Sequence, residues 1–336
     1  MAYESKKQLK SIHYDNLVSR IPSLQGKTVA ITGTTSGTGY VAARTLASKG
    51  ASVILLNRKS DRSQKSFEKL KNEFPDVNIT QIECDLQSFT SVRKAAREVQ
   101  EKFKQGIDVL CNNAGVMALK DEATADGFDV QMQTNHLSHF LLTKELYPLL
   151  EKKANEVGEA RIVNHSSIAR MSPKKKLISK YMEKRGGNLG GNGSSMFFGG
   201  GRWLRYNQTK LANAAFTAAL HDKLQKKGSK VKALVAHPGL AATDLQVTSV
   251  KDGGMGGFFT NLLMGMGQSQ EDGSMGIISC ICLPEAKSGE FWGPGKGSMA
   301  LKGEAKPFTL ENYYNNPETI DLLWNKSNEA IGEPFV

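Results

Sequence analysis

Several things that would settle the class of this chain at once are missing from it. No stretch of its 336 residues approaches the eighteen or more uncharged apolar residues that a membrane-spanning helix needs. Cysteine is scarce: Cys84, Cys111, Cys280 and Cys282 show no metal-ligand spacing beyond one Cys-x-Cys. A disulfide framework and a metal site are therefore not expected, and reduced core thiols are. Residues 1–25 carry basic side chains but no apolar segment, so a secretory leader is not expected either. Acid is in deficit, with 44 Lys and Arg against 33 Asp and Glu and a net charge of +11. Such a surplus invites a nucleic-acid or membrane-surface reading. The charge is dispersed, however, apart from Lys174-Lys175-Lys176 and the following Lys180, Lys184 and Arg185, and no nucleic-acid-binding signature accompanies it. The expectation is a cytoplasmic protein with no nucleic-acid partner; the basic run leaves a peripheral contact with a membrane surface open. No internal repeat is present.

What the chain does have begins at residues 28–32, Thr-Val-Ala-Ile-Thr, an apolar run of the kind buried in parallel sheets. It leads into Gly33-Thr34-Thr35-Ser36-Gly37-Thr38-Gly39 and then a helical pattern over 40–49. Strand, glycine-rich turn and helix together cradle a pyrophosphate, because glycines let the backbone approach the phosphates at a helix N-terminus. A second strand over 51–56 ends at Asn57-Arg58, where an NAD-binding fold places an acid for the ribose 2′-hydroxyl. No acid stands there; Arg58 suits a 2′-phosphate instead, which predicts NADP(H). Helix (62–73), strand (79–84), helix (88–103) and strand (107–111) follow. This alternation predicts an α/β fold with one doubly wound, Rossmann-type parallel sheet flanked by helices on both faces. Ligands in such folds lie across the carboxyl ends of the strands, which places Asp85 and Leu86 beside the adenine and Asn112, Ala114 and Gly115 near the cofactor.

Downstream lies Tyr206-Asn207-Gln208-Thr209-Lys210 at the start of an apolar run. Positions i and i+4 of a helix share a face, so the phenol and the ammonium point the same way. A free tyrosine titrates near pH 10; acid–base work at neutral pH needs a drop of roughly 2–3 units, about 3–4 kcal/mol. A cation one turn away is expected to supply much of it. The bland alternative is a packed tyrosine and a solvated lysine at a helix N-terminus, and the preceding nucleotide-binding half weighs against it.

Taken together, Thr32-Gly33-x-x-x-Gly37-x-Gly39, Asn112-Asn113-Ala114-Gly115, Tyr206-x-x-x-Lys210 and His237-Pro238-Gly239 resemble the short-chain dehydrogenase/reductase superfamily over residues 24–293. The stretches 134–142 and 206–213 are similar to its retinol-dehydrogenase-like branch. The resemblance implies a catalytic tetrad of Asn135, Ser167, Tyr206 and Lys210, with Ser166 as the alternative serine and Asn135 holding a water for proton relay. It implies cofactor contacts from Gly33, Thr35, Ser36, Gly37, Thr38, Gly39, Arg58, Asp85, Leu86, Asn112, Ala114, Gly115, Tyr206, Lys210, Pro238, Gly239 and Thr243. The implied reaction is hydride transfer between NADP(H) and a lipophilic carbonyl or alcohol of retinoid, terpenoid or steroid type. Reduction of a C=C bond, as in protochlorophyllide reductases, and a non-catalytic NADP(H)-binding scaffold are the alternatives.

The chain departs from compact relatives in two places. Ser167 and Tyr206 stand 39 positions apart, where compact relatives have about a dozen. The glycine content of this 170–205 insertion predicts a mobile loop beside the site, with Phe197, Phe198, Trp203 and Leu204 either closing over an apolar substrate or tucked onto the domain. The Met- and Phe-rich segment 246–272 reads as a substrate lid, or as a membrane- or subunit-facing patch. Residues 1–23 read as an N-terminal extension, 24–293 as the catalytic domain and 294–336 as a C-terminal extension ending in a short helix. Oligomeric state is left open.

Overall fold

Successive residues of a strand point to opposite faces of a sheet, so a strand covered on both faces must be apolar throughout. Strand β1 (Thr28–Thr32) obeys this: Ala30 joins one core, and Val29 and Ile31 the other. The computed structural model describes residues 9–171, 175–196, 199–241, 249, 252–254, 267–295 and 300–335. In chain order, α1 (Tyr14–Arg20) precedes β1, and α2 (Gly37–Ser48), β2 (Ser52–Asn57), α3 (Asp61–Glu73), β3 (Ile79–Glu83), α4 (Phe89–Lys102) and β4 (Val109–Asn112) follow. A helical turn, α5 (Val130–Met132), runs through a wide π turn (Gln133–Leu137) into α6 (Ser138–Val157), then β5 (Ala160–His165). The remainder is α7 (Gly201–Lys226), β6 (Val231–Ala236), α8 (Gln270–Cys282), β7 (Glu290–Pro294), β8 (Ala305–Thr309) and α9 (Pro317–Ile331).

These strands form one sheet in the order β3-β2-β1-β4-β5-β6-β7-β8. Neighbours through β7 are parallel, and β8 pairs antiparallel with β7. The doubly wound sheet expected from the alternation is therefore present. Its winding reverses between β1 and β4, and a crevice opens there at the carboxyl ends of the strands. Helices α4, α6, α7 and α9 cover one face; α1, α2, α3 and α8 cover the other. All four cysteines are buried free thiols, and burial pushes Cys84 and Cys282 up to about 12.

Two expectations need correction. Tyr206 does not open its helix, because α7 begins five residues earlier, at Gly201. A Cβ on Gly201 would collide with the carbonyls of Gly190 and Gly191, so the glycine lets the helix start hard against the insertion. The described part of that insertion is also pinned rather than loose. The Asp121 carboxylate accepts from the amides of Leu189 and Gly191 at 2.8 and 2.7 Å, and Arg205 Nη1 donates to the Gly191 carbonyl at 2.9 Å. Gln208 bridges the segment from both ends of its amide, and Leu177, Tyr181, Met182 and Leu189 enter the core. Two lysines of the basic run stand over rings of this same chain, Lys175 over Tyr313 and Lys184 over Phe128. Phe197, Phe198, Lys174 and most of the 246–272 segment lie outside the described residues. Among the described residues no helix is long and apolar enough to cross a membrane.

The C-terminal segment supplies β8 and α9. Asn316 caps α9 through Thr319, Pro317 occupies the first helical position, and Gly332 ends the helix with φ +76°. Its Trp324 meets Phe140 edge-on at 5.2 Å and stacks on Phe335, which reaches Phe140 and Tyr147. Trp324→Ala is expected to reduce the free energy of unfolding by about 3–5 kcal/mol, read from the urea midpoint, because the cavity lies among rings that cannot collapse into it.

Candidate active site

The floor of the crevice is the turn after β1. Gly33 has φ +72°, and a Cβ there would stand 2.8 Å from Ala114 Cα; one on Gly39 would collide with Asn113 Nδ2 and the Gly33 carbonyl. These two glycines therefore bring the loops after β1 and β4 into contact. Ser36 enters α2 in extended conformation without a side-chain cap, so amides of the first turn lack that partner. Asn57, buried at the end of β2, accepts from Thr34 N and donates to Thr34 Oγ1, both at 2.8 Å. Arg58 is exposed beside it. Arg62 Nη2, on the first turn of α3, donates to Ser36 Oγ at 2.9 Å. An uncapped helix start, a glycine turn that a Cβ would obstruct and two flanking guanidinium groups fit a dinucleotide. Asp85 lies two residues beyond β3, its carboxylate accepting from Gln87 N, and the Leu86 carbonyl accepts from Ser138 Oγ at 2.6 Å.

Behind the crevice lies a buried polar seam that sequence reading passed over. Asn113 Nδ2 donates to the Thr32 and Gly33 carbonyls, while Oδ1 accepts from Thr38 Oγ1 at 3.1 Å and from His165 Nδ1 at 2.9 Å. Thr32 Oγ1 accepts from the amides of Asn113 and Ala114, so its proton goes to His139 Nε2 at 2.9 Å. His139 is thereby the neutral Nδ1–H tautomer, donating to the Asn135 carbonyl at 3.0 Å. Burial holds His139 down to about 4 and His136, His165 and His237 down to about 3. Asn112 belongs to the seam as well. Its Nδ2 joins Thr143 and Asn164 at 2.9 Å, which turns it into a cross-brace between β4 and β5 rather than a group open to the crevice.

Of the four candidate catalytic residues, the fold brings Ser167, Tyr206 and Lys210 into one pocket wall. Ser167 lies beside the Tyr206 phenol, where its hydroxyl favours the ionised form. Ser166 turns away, its Oγ donating to the Lys210 carbonyl at 2.6 Å. Lys210 Nζ donates to the His165 carbonyl at 3.1 Å and lies 5.8 Å from the Tyr206 ring centroid. Asn135 sits in the π turn with its amide turned to the protein: Oδ1 accepts from Val116 N at 2.7 Å, and Nδ2 donates to Val116 O and Thr209 Oγ1. Trp203 meets Tyr206 edge-on at 5.9 Å and forms a small apolar wall with Met117, Ala118 and Ala169. Pro238 and Gly239 follow β6, held by Gln268 Nε2 on the Pro238 carbonyl at 2.8 Å. Thr243 lies outside the described residues.

The expected lowering of the phenol by the lysine is not what the chain does by itself. Burial pushes Tyr206 up to about 12, with the Ser167 hydroxyl pulling the other way, and holds Lys210 down to about 8. The ammonium donates to a carbonyl, and both groups have lost water.

Residues 27–182 match the sequence profile described as short chain dehydrogenase. The chain belongs to the short-chain dehydrogenase family. It is 36% identical over 235 residues to an uncharacterised oxidoreductase of Schizosaccharomyces pombe, covering 67% of this chain and 63% of that one. Human retinol dehydrogenase 12 is 30% identical over 311 residues, covering 92% of this chain and 87% of its own length, and human polyprenol dehydrogenase is 30% identical over 313 residues, covering 93% and 87%. The match spans less than two thirds of the length of the yeast protein, whereas the two human proteins are matched over most of theirs. Among solved structures, an uncharacterised protein of Mycobacterium paratuberculosis superposes with a TM-score of 0.71 at 29% identity, covering 95% of this chain and 98% of that one. This short-chain dehydrogenase thus resembles the retinol-dehydrogenase-like branch.

The buried histidines carry a consequence for pH. Their folded values lie below the ordinary 6.5, so below that pH the unfolded chain binds more protons than the folded one. Their contribution to stability is complete above about pH 6.5 and is lost as pH falls, by about 2 kcal/mol per histidine at pH 5. Urea unfolding is expected to show a clearly lower midpoint at pH 5 than at pH 7.5.

Proposed function

We propose that this chain is an NADP(H)-dependent oxidoreductase that interconverts a lipophilic carbonyl of isoprenoid or retinoid type and its alcohol. The observation that carries the reading is the Ser167 hydroxyl set beside the Tyr206 phenol and Lys210, opposite a turn that fits a dinucleotide. When bound, the nicotinamide supplies the hydride. Tyr206, kept protonated by burial, is the form that reduction consumes: it hydrogen-bonds the substrate oxygen and passes its proton to the alkoxide. Ser167 donates to the same oxygen and polarises the carbonyl. The Lys210 charge, 5.8 Å from the ring, stabilises the phenolate left behind. The apolar wall of Trp203, Met117 and Ala118 supports a lipophilic substrate, as do relatives named for retinol and polyprenol.

The preference for NADP(H) rests on the end of β2. Asn57 is buried with its amide turned to Thr34 and offers no carboxylate to a ribose diol, whereas Arg58 and Arg62 flank the place where a 2′-phosphate would lie.

Titration of nicotinamide fluorescence is expected to show NADPH bound at least about tenfold more tightly than NADH, with most of the difference lost in Arg58→Ala. Equal affinities would overturn the assignment. With the isoprenoid aldehyde citral and NADPH, Tyr206→Phe is expected to lower kcat by at least about a hundredfold while NADPH affinity stays within twofold.

A further inference from the structure

Ser167 is followed by a tight turn, Ile168–Met171, whose Arg170 is fully buried. A guanidinium cannot shed its charge, so one removed from water needs counter-charge and hydrogen bonds. Arg170 finds both. Nε donates to Glu311 Oε2 at 2.8 Å, and Nη1 donates to the Ser167 carbonyl at 3.0 Å, which the Arg170 amide also reaches at 3.2 Å. The guanidinium lies over the Phe291 ring at 4.3 Å and the Phe308 ring at 5.8 Å, two rings stacked on each other at 4.8 Å. Glu311 follows β8 in the C-terminal segment and receives the Tyr313 hydroxyl at 3.1 Å. Ser167 Oγ accepts from Ala169 N at 3.2 Å, which leaves the hydroxyl proton for Tyr206.

We infer that Arg170 is a positioning residue for Ser167 and that Glu311 is the counter-charge that keeps it in place, so the segment after β8 is a working part of the catalytic apparatus. The inference rests on the reading of Ser167 and Tyr206 proposed above. A fixed turn matters because the serine hydroxyl has to meet both the phenol and the substrate oxygen, and a shift of about an ångström there costs orders of magnitude in rate. Lysine at position 170 keeps the charge but has no fork with which to hold Glu311 and the Ser167 carbonyl together. Glutamine at position 311 keeps the shape and removes the charge.

The test compares full-length wild type, Arg170→Lys, Glu311→Gln and Ser167→Ala by two readouts. One is the 13Cζ chemical shift of Tyr206 in tyrosine-labelled protein, assigned through Tyr206→Phe, which reports the hydrogen bond to the phenol without turnover. The other is kcat and KM for citral with NADPH. The expected result is that both positioning variants move the Tyr206 resonance in the direction Ser167→Ala moves it and lower kcat about tenfold or more, with KM and NADPH affinity within about twofold. Folded variants with wild-type resonance and kcat, alongside a shifted Ser167→Ala, would overturn the inference and leave the proposed chemistry standing. A Ser167→Ala protein with an unshifted resonance would remove the Ser167 reading and the inference with it. Should Arg170→Lys not fold, Glu311→Gln decides alone, since Glu311 is partly exposed and its replacement is nearly isosteric.

Discussion

The site depends on the buried amide of Asn113. A primary amide away from water has to place two donors and an oxygen acceptor, and Asn113 does so on Thr32 O, Gly33 O, Thr38 Oγ1 and His165 Nδ1. Those four partners belong to the end of β1, the glycine turn, the start of α2 and the end of β5. One side chain therefore sets the spacing between the glycine turn and the strand that leads to Ser166 and Ser167. No residue of another shape offers the same pattern of donors and acceptors at that length, and an unpaired member would cost about 1–3 kcal/mol. Thr32, His139 and Asn135 extend the lattice to the π turn, so the loop after β4 is held on both sides.

The same burial that makes these hydrogen bonds strong also sets protonation states. Four histidines are kept neutral and act as fixed donors and acceptors. Tyr206 is kept protonated and Lys210 is brought within reach of neutral pH. Desolvation is the first cause in every one of these cases.

Segments outside the alternating βα pattern are tied into this arrangement. The insertion after β5 is clasped by Asp121, Arg205 and Gln208, with Arg205 adjoining Tyr206 in sequence. The last helix closes over Phe140 and Tyr147 and reaches the π turn through Ser327, whose hydroxyl is 2.9 Å from His136 Nε2. Glu311 meets Arg170. Additions that read in sequence as ornament or as a tail thus contribute the groups that keep a buried polar site in register.

The parallel sheet, the glycine turn and the pairing of a tyrosine with a lysine one turn later were legible in the residues, because each is a local pattern: continuous apolar runs, glycine spacing and the helical repeat. The amino acids at 57 and 58 were legible too, as the absence of an acid and the presence of a base. The lattice around Asn113, the turning away of Ser166 and the partners of the Asn135 amide were not, since the groups involved lie from nineteen to more than seventy positions apart. Nor was the titration of Tyr206, because spacing reports that a lysine is near while burial decides how much its charge and the lost water weigh. By itself the sequence determined the fold class and pointed to the side chains proposed to carry the chemistry. Only the tertiary structure decided their hydrogen bonds and protonation, because those depend on what surrounds a group in space.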